Sequence, residues 1–92
     1  MTTQSQSTDK SWQVYILRCG DGSLYTGVAV NLPERIAAHN NGTGAKYTRS
    51  RLPVSLVYAE AAADRSVALR REAAIKKLCR TDKLLLIENW SG

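Results

Sequence analysis

The chain has 92 residues, 43% of them hydrophobic, enough for one small core and too few for two. Thirteen Lys and Arg against eight Asp and Glu leave a formal charge of +5, so an anionic partner is the first electrostatic expectation. The longest strongly apolar run, Leu84 to Ile87, is far short of the roughly 18 residues of a bilayer-spanning helix, which excludes a membrane protein.

Met1 to Ser11 is Thr, Gln and Ser with one Asp and one Lys, without the apolar segment of a signal peptide or the arginines of a transit peptide. It reads as a disordered tail, with residues 12–92 as the folded domain. Cys19 and Cys79 are widely separated, form no CxxC pair, and with a single histidine supply no zinc site. Reduced thiols in a cytoplasm are the expectation.

Trp12 to Arg18 and Leu24 to Val30 are rich in β-branched and aromatic residues around a Gly20-Asp21-Gly22-Ser23 turn, which predicts a β-hairpin. Asn31 as cap, Pro33 in the first turn, Glu34 in an N-x-x-E pattern and Gly42 as terminator predict a helix over Leu32 to Asn41. Gly42 to Pro53 reads as an exposed basic loop, with three cations and no acid. Val54 to Glu60 alternates as a third strand. Asp64 caps a second helix with Val67, Arg71, Ala74, Ile75 and Leu78 along one stripe, ending near Arg80. Thr81 caps a third, Asp82 to Asn89, and Trp90 is placed to close over a sheet edge. The order β-β-α-β-α-α predicts an α+β domain, an antiparallel sheet covered by helices.

Whether Tyr15 and Tyr25 share a face depends on hairpin register. A two-residue Asp21-Gly22 turn puts them on opposite faces; a three- or five-residue loop with a glycine bulge puts them together. Arg35 and His39, four apart on the first helix, project from one side, distinct from the face that Leu32 and Ile36 turn to the core. Such a pair clamps a phosphate and exchanges protons, or is simply solvated. Glu72 is the sole acid between Arg65 and Arg80. It suits a hard cation such as Mg²⁺ that keeps most of its waters, or an i, i+4 pair with Lys76. Lys46, Arg49 and Arg51 around Tyr47 interleave cations with an aromatic ring, a pattern for following a nucleic-acid backbone and stacking on a base. Arg71 and Lys76 add phosphate contacts from the second helix.

Taken together, Val14-Tyr15-Ile16, Tyr25-Thr26-Gly27, Arg35 and Glu72 resemble the GIY-YIG nuclease family. The resemblance covers about Trp12 to Leu78. It is closest to the small stand-alone bacterial members of the YhbQ type and extends to the nuclease domain of the UvrC repair protein. It implies a three-stranded antiparallel sheet, an odd-length bulged hairpin loop, and Tyr15 and Tyr25 on one face beside Arg35, His39 and Glu72. It further implies one divalent metal, Mg²⁺ or Mn²⁺, on Glu72, a tyrosine that helps activate the attacking water, with Tyr15 the first candidate, and an arginine that steadies the phosphate. Arg35, His39 and the metal are the cations expected to lower the tyrosine pKa. Two positions depart from the pattern: Gln13 or Val14 replaces the GIY glycine, and Val28 follows the YIG motif where UvrC-type sites carry lysine. Lys46 is the candidate substitute.

The resulting expectation is a metal-dependent endonuclease hydrolysing DNA, with RNA also admissible, on structured or damaged substrates in repair or processing. The alternatives are a non-catalytic nucleic-acid-binding module and a nuclease subunit that depends on a protein partner for specificity.

Overall fold

The computed structural model describes residues 11–90. The polar tail proposed from sequence therefore lies outside the described residues, except for exposed Ser11.

A single antiparallel sheet carries three strands, β1 (Trp12–Arg18), β2 (Leu24–Ala29) and β3 (Ser55–Ala62), in the order β2-β1-β3. Four helices join them: α1 (Leu32–Asn40), α2 (Lys46–Arg49), α3 (Arg65–Lys76) and α4 (Arg80–Glu88). The architecture is the expected α+β arrangement with one addition. The basic segment is not all loop, since Lys46–Arg49 closes into the short helix α2.

The hairpin register places Tyr15 opposite Gly27 and Leu17 opposite Tyr25. The connection, Cys19 to Ser23, is thus odd in length, and Gly22 takes a positive φ of 86° within it. Because side chains alternate along a strand, Tyr15, Leu17, Tyr25 and Gly27 fall on one face. The hairpin tip is pinned from outside: Gly20 N–H donates to the Arg51 carbonyl at 2.6 Å, and a Cβ on Gly20 would lie 2.6 Å from the Leu52 carbonyl oxygen.

The sheet separates two apolar layers. Tyr15, Leu17 and Ala29 pack with Leu32, Ile36 and Val54 on the α1 side. Val14, Ile16 and Tyr58 pack with Ala68, Ile75, Leu86 and Ile87 on the side of α3 and α4. Trp90 covers Tyr58 of the edge strand β3, with ring centroids 6.3 Å apart.

The caps explain where the helices stop and start. Asn31 Oδ1 accepts from Glu34 N–H, and past the C-terminus of α1 Gly42, at φ 81°, allows Gly42 and Thr43 N–H to donate to the His39 and Ala38 carbonyls. Asp64 Oδ1 accepts from Val67 N–H at 2.9 Å and opens α3 as expected. Helix α3 ends at Lys76, four residues before the predicted limit, and α4 begins at Arg80, so Cys79 and not Thr81 holds its N-cap position. Strand β3 runs to Ala62, two residues beyond its predicted end, because it pairs with β1 as far as Trp12. Both cysteines are free, Cys19 buried and Cys79 exposed. Among the described residues no helix is long and apolar enough to cross a membrane.

Candidate active site

Tyr15 stands at the centre of β1, the middle strand, and has no exposed surface. Its ring crosses to β2 over Gly27. A Cβ there would lie 2.7 Å from the Tyr15 hydroxyl and 3.1 Å from Tyr25 Cε2, so only glycine leaves room for the ring. The sequence reading treats Gly27 only as part of a motif; the cross-strand pairing shows its physical task.

The hydroxyl of Tyr15 lies 2.9 Å from His39 Nε2, and His39 Nδ1 lies 2.8 Å from Thr48 Oγ1. Thr48 Oγ1 in turn donates to the Ala45 carbonyl at 2.9 Å. This chain assigns the tautomer: the Thr48 proton is committed to Ala45, so Nδ1–H donates to Thr48 and Nε2 accepts from Tyr15. The Ala45 N–H approach to Nδ1, at 3.5 Å, is the longest contact of the set. Tyr15, His39 and Thr48 are all fully buried, and every polar atom of the chain has a partner, as burial demands.

Two expectations are corrected here. His39 does not share a solvated face with Arg35; it turns inward and is fully buried beneath Gly44, whose missing side chain would meet Nδ1 at 2.5 Å. Nor does it act as a cation on the tyrosine. Burial first, and then the charge of Arg35, push the His39 pKa down, so the neutral ring is an acceptor. The Tyr15 pKa is correspondingly raised: desolvation dominates, Arg35 opposes it, and the charges of Tyr25 and Glu72 add to the rise.

Tyr25 is half-buried on the same face, its ring centroid 6.4 Å from Tyr15, 5.2 Å from His39 and 6.0 Å from Tyr47. Arg35 is half-buried on α1 and sits beside the Tyr15 hydroxyl. Glu72 comes from α3, in the opposite layer, yet its charge acts on Tyr15. Tyr15, Tyr25, Arg35 and His39 therefore adjoin one another, and Glu72 is linked to them only through the effect of its charge on Tyr15. Glu72 Oε2 is also 3.3 Å from Lys76 Nζ, the i, i+4 pair that the spacing allows.

The cations proposed for nucleic acid divide into two groups. Arg51 is tied down: it pairs with Asp21 at 3.1 Å, donates to the Tyr47 carbonyl at 2.8 Å, and lies 3.9 Å over the Tyr47 ring. Arg71 is held by Glu60 at 2.8 Å, on a carboxylate that also accepts from the Tyr58 hydroxyl. Lys46, Arg49 and Lys76 are exposed. Sequence reasoning missed Thr48 and also Asn40, whose amide pairs with both backbone groups of Val54 at 2.8 and 3.1 Å and fixes α1 against the start of β3. Neither has a local signal, since each partner is brought close only by the fold.

Among the described residues no three His, Cys, Asp or Glu side chains converge on a metal site. The donor set instead fits a hard cation held by one carboxylate, Glu72, with water and substrate oxygens completing the shell.

The chain is similar to known proteins over most of its length. The sequence model of the GIY-YIG catalytic domain matches residues 11–84. A UPF0213 protein of Clostridium perfringens is 59% identical over 78 residues, 85% of this chain and 84% of that one. Another, from Desulfotalea psychrophila, is 52% identical over 87 residues, 92% of this chain and 79% of its relative. The solution NMR structure of a UPF0213 protein from Bacillus halodurans superposes with a TM-score of 0.58 at 43% identity, covering 89% of this chain and 87% of that chain. With the family match spanning nearly all of the described residues and relatives of 52% and 59% identity over most of both chains, the chain belongs to the GIY-YIG catalytic-domain family.

Proposed function

We propose that the chain is a metal-dependent endonuclease that hydrolyses DNA phosphodiester bonds. The observation that carries this reading is the cluster of Tyr15, Tyr25, Arg35 and His39, in which a buried tyrosine is hydrogen-bonded to a neutral histidine and feels the charge of Glu72. A Mg²⁺ or Mn²⁺ ion on Glu72 would supply positive charge for the phosphoryl and leaving oxygens.

Within the chain itself, Arg35 offers a guanidinium to a phosphate and stabilises the charge that develops on it. Of the two tyrosines, Tyr25 is the one with exposed surface and so the one that a nucleophilic water reaches. Tyr15, fully enclosed, keeps its proton on the path to His39 Nε2 and fixes the position of both rings. This moves the first candidate for meeting the water from Tyr15 to Tyr25 on grounds of access. The exposed Lys46, Arg49 and Lys76 supply phosphate contacts without reading sequence. Structured or damaged DNA in repair or processing is the setting that the family resemblance supports.

The Glu72–Lys76 pair favours a second reading, a binding module in which Glu72 is merely a helix-surface charge. Cleavage of labelled single-stranded, duplex and branched DNA, with an RNA strand alongside, separates the two. Wild type and Glu72→Gln are compared in Mg²⁺, Mn²⁺ and EDTA. The nuclease reading expects metal-dependent cutting that Glu72→Gln reduces by two orders of magnitude or more. Salt-sensitive binding without cutting in every arm overturns it in favour of the binder.

A further inference from the structure

Strand β2 is an edge strand, and a cavity lies at each of its ends. At its start, a cavity of about 270 Å³ is lined by Leu24, Tyr25, Thr26, Tyr47, Lys76 and Lys83. At its finish, a cavity of about 560 Å³ is lined by Trp12, the Val28 to Val30 segment, and Asn31, Glu34 and Arg35 of the α1 start. Gly27, with the Tyr15 hydroxyl over it, lies between the two. From Tyr25 to Ala29 is four residues, roughly 13 Å at about 3.3 Å per residue. That is on the order of four nucleotides of a stacked strand, at about 3.4 Å each.

The two cavities differ in chemistry. The first has two lysines from different helices, two tyrosines and no acid among its lining residues. Lys76 is shared with Glu72, but Lys83 forms no ion pair among the described residues although it is half-buried. A lysine on the wall of a cavity whose lining has no carboxylate is a site for an anion. The second is walled by Trp12 and aliphatic side chains, with the amide of Asn31, the carboxylate of Glu34 and the guanidinium of Arg35 at its rim. Apolar walls with a few donors and acceptors suit a planar base.

Resting on the nuclease reading, we propose that a nucleic-acid strand lies along the free edge of β2 and is held on both sides of the bond to be cut. Lys83, with Lys76, takes the phosphate of a neighbouring nucleotide, and the cavity between Trp12 and Arg35 takes a base on the other side. The enzyme then needs nucleotides flanking the scissile bond in both directions, and Lys83 of α4 is a substrate-positioning residue that no motif contains.

The test is a binding measurement, made in the Glu72→Gln background in EDTA so that nothing is cut. Fluorescent oligonucleotides carrying one uncharged methylphosphonate linkage, moved along the strand, are titrated by anisotropy against this protein and its Lys83→Met and Lys83→Arg derivatives. Lys83→Met should weaken binding of the unmodified strand by roughly tenfold at 0.1 M salt and lower the salt slope by about one. Lys83→Arg should restore both. One linkage position should cost as much as Lys83→Met, and the two losses should not add. Unchanged melting of each variant excludes misfolding as the cause. An unchanged salt slope in Lys83→Met, or losses that add at every position, overturns the subsite. Because the readout is binding, a wild type that never cuts but shows the non-additive pair keeps the subsite while the nuclease reading falls. A wild type that cuts without that pair does the reverse.

Discussion

Tyr15 and Gly27 face each other across β1 and β2, and the tyrosine hydroxyl occupies the space that any side chain at position 27 would need. The crowding is not at the end of a free side chain, because the ring is fully buried and its hydroxyl is held by His39. Gly27→Ala is expected to displace Tyr15, to cost about 1–3 kcal/mol as an overpacked core position, and to reduce cleavage at least tenfold. Urea denaturation and a cleavage assay on the same preparation check both. Wild-type stability with wild-type activity would show that the ring yields freely.

The two tyrosines should separate in their effects. Tyr15→Phe leaves His39 Nε2 without its donor inside the core, an expected loss of about 1–3 kcal/mol, together with lost cleavage. Tyr25→Phe, at a half-exposed position, should lose cleavage while its urea midpoint stays near wild type. Equal destabilisation by the two changes would contradict the division of roles.

Thr48 closes the buried chain by accepting from His39 Nδ1–H. Thr48→Val removes that acceptor and should destabilise by about 1–3 kcal/mol, whereas Thr48→Ser keeps the oxygen and most of the stability. Failure of serine to do better than valine in thermal melts would mean that the methyl group, and not the hydroxyl, matters.

The pH dependence has a definite sign. His39 is the one histidine of the chain, and burial with the Arg35 charge holds its folded pKa below the ordinary 6.5. The unfolded chain therefore binds the proton more readily, and acid favours unfolding. Its contribution is complete above the unfolded value of about 6.5 and is lost as pH falls toward the lower folded value. Urea midpoints at pH 7.5 and 5.5 should show a drop that His39→Gln flattens. A midpoint that rises on acidification would refute the buried neutral imidazole.

Local rules carried most of the architecture. The hairpin, the Asn31 and Asp64 caps and the Gly42 terminator all depend on residues within five positions of one another. From the residues alone register was legible only as a pair of options, because the glycines on both sides of Asp21 permit either loop; the family resemblance selected the odd-length one that the strands adopt, and Arg51 and Leu52 pin Gly20 from outside the hairpin. The inward turn of His39 was not legible in the helix itself, and only the family resemblance placed it beside the tyrosines. Its helix has few apolar positions to define a face, and what satisfies it, Tyr15 on one side and Thr48 on the other, lies 24 and 9 residues away. Arg51 reads as a free cation for the same reason, since Asp21 is 30 residues distant.

The site is divided between interior and surface. Its phenol, imidazole and threonine belong to the packed centre, whereas its carboxylate stands on a helix flank in an ion pair worth only tenths of a kcal/mol. The fold leans on the buried trio as scaffolding and makes no comparable demand on the acid. Replacement of the Glu72 carboxylate should therefore leave the shape of the molecule intact, whereas replacement of any of the buried trio should not.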